Sequence, residues 1–179
     1  GDSTGSGSGG SFTLSTSANG TGSERLATVR VTASGGSVSL AARQAISDAG
    51  LLPGDIDAVI FATMTPDYVL PGNGPLLQAA LGLRDIPTFD IRQQCAGFLY
   101  GLQLADAHVR AGLSRTVLLV GAEVHTGFMP WTRANWDFML GRGETPPTPE
   151  ELAWNNKFRH LTVLFGDGAA AVVLRATDD

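Results

Sequence analysis

From Val38 to Arg175 the apolar residues switch repeatedly between helical and strand spacing, and this alternation constrains the fold more than anything else in the chain. A helix is predicted from about Ser39, a capping residue, to Ala49, with Leu40, Ala41, Ala45 and Ile46 as its stripe and Gly50 as its stop. Ile56 to Thr63 reads as a buried strand. A helix from about Gly74 to Leu81 follows the Thr65-Pro66-Asp67 turn and ends at Gly82. Ile86 to Ile91 is a short strand, and Leu99, Leu102, Leu104, Ala105 and Val109 recur at helical spacing as far as Gly112. The strand Thr116 to Gly121 comes next, and Leu161 to Phe165 with Ala169 to Arg175 form a closing strand pair. Strands alternating with helices predict a parallel-dominated sheet with helices on both faces.

The stretch Asp90 to Phe98, DIRQQCAGF, places the only cysteine, Cys95, at a strand-to-helix junction. Ala96 and Gly97 leave room beside it. A thiol there faces the positive end of a helix dipole, which favours the thiolate and suits a nucleophile. A buried structural cysteine is the other reading that the local pattern leaves open, since free cysteine is among the most buried residue types.

The bulk numbers narrow the function classes. At 179 residues the chain is long enough for one well-packed domain, and 43% hydrophobic with 16% charged residues suits a globular protein. The absence of any run of about 18 apolar residues predicts no membrane span. A net charge of -5 gives no basic footprint and argues against nucleic acid as the partner. One cysteine makes no internal disulfide, and no Cys/His cluster has metal-ligand spacing, so no metal site is expected. A cytoplasmic location follows as the default, because the first residues lack the charged and apolar regions of a secretory signal.

Three stretches together carry a resemblance: DIRQQCAGF, then LLVGAE from Leu118 to Glu123, then TVLFGDGAAAVVL from Thr162 to Leu174. In order and spacing they resemble the first half of β-ketoacyl-acyl-carrier-protein synthase III, a member of the thiolase-like superfamily, from about Val38 to Ala176. The resemblance implies a three-layer α/β/α thiolase-like half-domain with a five-stranded mixed, mostly parallel sheet whose last strand runs antiparallel. It implies an acyltransferase in which Cys95 takes an acyl group from acyl-CoA as a thioester. Decarboxylative condensation with malonyl-acyl carrier protein would follow, as in the initiation of fatty-acid or polyketide synthesis. No cofactor is implied beyond acyl-CoA and phosphopantetheine-linked substrates. The implied partners are acyl carrier protein and a second copy of the chain. Acyl transfer to a non-malonyl acceptor, or an inactive truncated or partner subunit, are the alternatives.

Further positions follow from the same resemblance. Arg159, six residues before Phe165, matches an arginine that contacts the CoA nucleotide, or is a plain surface arginine. Leu70, before Pro71, matches a position that reaches across the dimer to set acyl-pocket depth, or is ordinary interface packing. The family's His and Asn belong to a second half that is expected to be absent from this chain. His108, His125 and His160 match no motif position of that His. Asp167, in the Gly166-Asp167-Gly168 turn, and Glu123, at a strand end, are read as structural carboxylates bonded to nearby backbone.

Two regions depart from the family pattern. Residues 1–37 are rich in Gly, Ser and Thr, and the run from Gly5 to Gly10 reads as a flexible linker. Ser11 to Ser15 and Leu26 to Val31 alternate weakly, as short strands do. The family instead opens with an Ile/Gly-rich strand and a Trp/Arg-bearing segment. The second departure is an insertion at about 124–158 that holds all three tryptophans, with a short helix expected from Glu150 to Trp154. Its aromatics read as a satellite core that pins a long loop, or as the lining of an acyl tunnel.

Overall fold

Period-2 and period-3.6 patterns sort the chain into six strands and five helices in the computed structural model, which describes residues 10–16, 25–34, 38–125, 131–162 and 164–177. The elements in chain order are β1 (Gly10–Thr16), β2 (Arg25–Ser34), α1 (Val38–Asp48), β3 (Ala58–Ala62), α2 (Asn73–Leu81), β4 (Thr88–Ile91), α3 (Gly97–Arg110), β5 (Thr116–Glu123), α4 (Arg133–Met139), α5 (Pro149–Thr162) and β6 (Gly168–Arg175). They divide into two compact units: Gly1–Glu123 with Gly168–Asp179, and Val124–Asp167.

In the larger unit the strands form one sheet in the order β1-β2-β6-β5-β3-β4. β3 is parallel to both β4 and β5, with Ile60 opposite Phe89 on one side and Leu119 on the other. β5 and β6 run antiparallel from Thr116↔Arg175 to Glu123↔Gly168. β2 joins β6 antiparallel, and β1 joins β2 the same way. The five-stranded, mostly parallel sheet expected from sequence is therefore corrected to six strands with two parallel pairings of five. The weak alternation in residues 10–34 is the reason: it supplies two antiparallel strands to the side of β6 that β5 leaves open.

Three layers follow from which face of each strand is apolar. Val59, Phe61, Leu118, Val120, Ala171 and Val173 pack with Ala41, Ala42, Ala45 and Ile46 of α1 and Leu77 and Leu81 of α2. The alternate residues Ala58, Ile60, Val117, Leu119, Val172 and Leu174 pack with Ala105 of α3. β3 is buried on both faces, as a central parallel strand must be. The α/β/α class thus holds, with α1 and α2 on one side and α3 on the other. Leu40, expected in the α1 stripe, is exposed, and Ala42 takes its place. Ser39 lies inside the first turn of α1 and does not precede it. Gly82 ends α2 in the left-handed conformation, φ 68°, that glycine adopts without Cβ strain.

The smaller unit corrects the sequence reading twice. Leu161 and Thr162, expected to open a strand, are the last residues of α5, and β6 stands without that partner. α5 is also far longer than the expected Glu150 to Trp154. Its Glu150 and Glu151 in the first turn and Arg159 and His160 in the last complement the helix dipole, so it runs through to Thr162. α4 was not anticipated. Thr132 caps it, accepting a hydrogen bond from the Asn135 N–H at 3.3 Å. Trp131 packs on Trp136 with ring centroids 4.8 Å apart, and Trp154 on Phe158 at 4.9 Å, with the Lys157 ammonium 5.6 Å from the Trp154 ring. Phe128 lies outside the described residues.

Candidate active site

The chain leaves β3 toward β4 by way of α2 on one face, and leaves β4 toward β5 by way of α3 on the other. The carboxyl ends of β3, β4 and β5 therefore meet at a topological switch point, where open α/β sheets hold their ligands. Cys95 lies just past the end of β4, in a single 3₁₀ turn from Gln94 to Ala96 that leads into α3. Its side chain is free and exposed, which sets aside the buried structural reading.

The local backbone shows how that exposure is held. Gln94 has φ 45°, the one positive φ outside glycine among the described residues. This left-handed step swings the chain out of the strand direction immediately before the thiol. The turn closes by Ala96 N–H donating to the Gln93 carbonyl at 3.0 Å. Gly97 and Gly101 are both buried on the sheet side of α3. A Cβ on Gly97 would stand 3.3 Å from Ala62 Cβ, and one on Gly101 would collide with Leu119. The small stripe Gly97, Gly101, Ala105 thus brings the start of α3 close against β3 and β5.

Two carboxylates secure the loop between β3 and α2. Glu123, the last residue of β5, accepts from Met64 N–H at 2.9 Å and from Thr65 Oγ1 at 2.9 Å. Asp90, on β4, accepts from Asn73 N–H at 2.8 Å and Gly74 N–H at 3.0 and 3.1 Å, holding the first turn of α2. Gly72 has φ 105°, and a Cβ there would lie 2.6 Å from the Asp90 carboxylate. Glycine is needed at that position for both reasons. The structural reading of Glu123 is the one the geometry supports. Asp90 was not singled out by sequence reasoning. Its signal was a lone acid inside an apolar strand, opposite a Gly-Asn-Gly run 16 residues away.

The other expected positions are placed as follows. Leu70 is 85% exposed, next to the cis Leu70–Pro71 bond, on the loop that these carboxylates secure. A cavity of about 140 Å³ lies beside it, lined by Thr63, Pro66, Tyr68, Val69, Gly72, Asp90 and Ile91 of β4, and Arg92 just after it. Arg159 is exposed in the last turn of α5, in the smaller unit. His108 is engaged structurally: its ring meets Phe89 edge-on at 5.1 Å, and its Nδ1 lies 3.4 Å from Ser114 Oγ. His125 stacks on Phe165 at 4.8 Å. His160 is exposed in the last turn of α5. Asp167 ends the short 164–167 loop before β6. Among the described residues no cluster of three or more His, Cys, Asp or Glu side chains is arranged to hold a metal, and no helix is long and apolar enough to cross a membrane.

Residues 89–144, which contain the cysteine turn and β5, match the family model described as 3-oxoacyl-[acyl-carrier-protein] synthase III. The chain is 43% identical over 136 residues to the β-ketoacyl-[acyl-carrier-protein] synthase III of Bordetella petrii, covering 76% of this chain and 34% of that protein. It is 43% identical over 139 residues to the enzyme of the same name from Paracoccus denitrificans, covering 78% and 35%. The chain spans about a third of the length of the curated relatives it matches. Among solved structures, the 3-oxoacyl-[acyl-carrier-protein] synthase III of Aquifex aeolicus superposes with a TM-score of 0.61 at 32% identity, over 79% of this chain and 38% of the other. The Pseudomonas aeruginosa protein of that description gives 0.59 at 33% identity, over 79% and 36%.

Proposed function

As the chain belongs to the β-ketoacyl-acyl-carrier-protein synthase III family over the three quarters of its length that these relatives match, we propose that Cys95 is the nucleophile of an acyltransferase. The observation that supports this most is the exposed thiol of Cys95 on its own 3₁₀ turn at the carboxyl end of a parallel strand. The thiolate attacks the carbonyl of an acyl-CoA thioester. A new C–S bond to Cys95 forms, the C–S bond to CoA breaks, and CoA leaves as the thiolate. The tetrahedral anion between these states needs amide donors, and the Cys95 N–H at the opening of α3 is the donor this chain brings. Malonyl-acyl carrier protein then loses carbon dioxide, and its carbanion attacks the acyl-Cys95 carbonyl, giving a 3-ketoacyl product and restoring the thiolate.

Arg159 is proposed as a contact for the CoA nucleotide, and Leu70 as a residue that shapes the acyl pocket. We place the protein in the cytoplasm as a homodimer, without a resident cofactor. A second reading keeps Cys95 acylation and changes the acceptor to an alcohol or amine. The aromatic-rich insertion at about 124–158 favours it, because it departs from the expected family pattern.

The test is the intact mass of the chain after incubation with a panel of acyl-CoAs. One acyl increment, released by neutral hydroxylamine and lost in Cys95→Ala, is expected. An equal adduct in Cys95→Ala would refute the assignment.

A further inference from the structure

We propose that Glu123 is a positioning residue for the Cys95 turn, an inference that rests on the reading of Cys95 as the nucleophile. Glu123 does not belong to the turn and is bonded 58 to 60 residues back along the chain. Its two carboxylate oxygens gather the exit of β3. Met64 N–H reaches both, at 2.9 and 3.2 Å, while Thr65 Oγ1 and Thr63 Oγ1 approach Oε2 at 2.9 and 3.4 Å. Thr65 N–H in turn donates to Thr63 Oγ1 at 3.0 Å, so three successive residues are tied to one acid.

The end of β3 that this acid fixes is the support of the cysteine turn on both sides. Before the thiol, the Thr63 N–H donates to the Ile91 carbonyl at 3.2 Å, the hydrogen bond that closes the β3–β4 ladder. After it, Gly97 packs closely on Ala62, where an added Cβ would stand only 3.3 Å from the Ala62 Cβ. The six peptide bonds from Ile91 to Gly97 therefore stand on Ala62, the last residue of β3, and Thr63, the residue after it. Thr63 is buried. Glu123 sets where Ala62 and Thr63 end, and through them where the thiol stands. A displacement of the order of 1 Å at a reacting atom lowers rates by about 100-fold, so a modest shift of this floor is enough to be read.

The experiment uses the whole chain and compares Glu123→Ala with Glu123→Gln. Glutamine keeps an oxygen for the Met64 N–H, and its amide donates to a threonine hydroxyl, which both donates and accepts. With acyl-CoA at saturation, Glu123→Ala is expected to acylate Cys95 about tenfold more slowly or worse, with KM within about twofold. Glu123→Gln is expected to restore most of the rate. Hydrogen exchange read by mass spectrometry should rise over residues 92–98 in Glu123→Ala while peptides of α1 keep their protection. Unchanged exchange over 92–98, an unchanged acylation rate, or a glutamine variant as slow as the alanine one would each overturn the proposal. Should the wild-type chain take no acyl group at Cys95, the proposed function falls, while the exchange comparison still decides whether Glu123 holds the turn.

Discussion

At the scale of single residues, the φ of 45° at Gln94 is a local cost that the turn before Cys95 requires. Holding a non-glycine residue in the left-handed region costs roughly 1–2 kcal/mol. Glycine relieves that strain but has more backbone freedom to lose, which offsets about 0.5–1 kcal/mol. Gln94→Gly is therefore expected to raise the urea midpoint slightly, by about 0.5–1 kcal/mol in stability. Cys95 acylation should slow severalfold, because a glycine there loosens the turn. Urea unfolding and acylation rates on the same preparation check both halves. A variant that is less stable, or that acylates faster, contradicts this account of the turn.

Elements meet through surfaces, and the contact of α3 with the sheet is a surface of small residues. Gly101→Ala places a methyl group where the Leu119 side chain already stands. Alanine favours helix by about 1 kcal/mol over glycine, but overpacking of this kind costs typically 1–3 kcal/mol. Leu119 is fully buried, so its side chain can yield only by repacking against its core neighbours, and overpacking is expected to win. A net loss of about 1 kcal/mol in chemical unfolding is the expected result, and a stabilised variant would refute it. The strands β3 and β5 were legible in the sequence because unbroken β-branched and apolar runs leave no other solution for their length. The cysteine turn was legible because Cys95 falls between a strand run and a helical run. The segment Leu161 to Phe165 misled, since its composition is that of a strand. Its first two residues are claimed by α5, which carries matched charges at both ends and has no glycine or proline after Pro149 to stop it. The ties of Glu123 to Met64 and of Asp90 to Gly74 span 59 and 16 residues. Contacts between a carboxylate and a distant amide leave no periodic trace, so no local pattern announces the address.

At the scale of the whole molecule, the larger unit presents apolar side chains and an open strand edge together. Val69 and Leu70 are 82% and 85% exposed, and Leu99 on α3 is 67% exposed. β4 closes the sheet order and has no strand on its outer side among the described residues. Exposed apolar patches and free strand edges both favour association. The chain is expected to self-associate, with a sedimentation mass above its 18.6 kDa, and Leu70→Asp should reduce that association. A monodisperse monomer at micromolar concentration would refute this. The same sheet order bears on how the protein can be handled. β1 lies at the opposite edge from β4, five strand spacings away, roughly 24 Å. A surface tether attached ahead of Gly10 would therefore grip the edge farthest from the strand that delivers Cys95. Yet β1 runs antiparallel to β5, so Gly10 lies at the sheet end that carries Cys95, whereas a tether attached beyond Arg175, which pairs with Thr116 at the other end, would leave the thiol turned toward the solution.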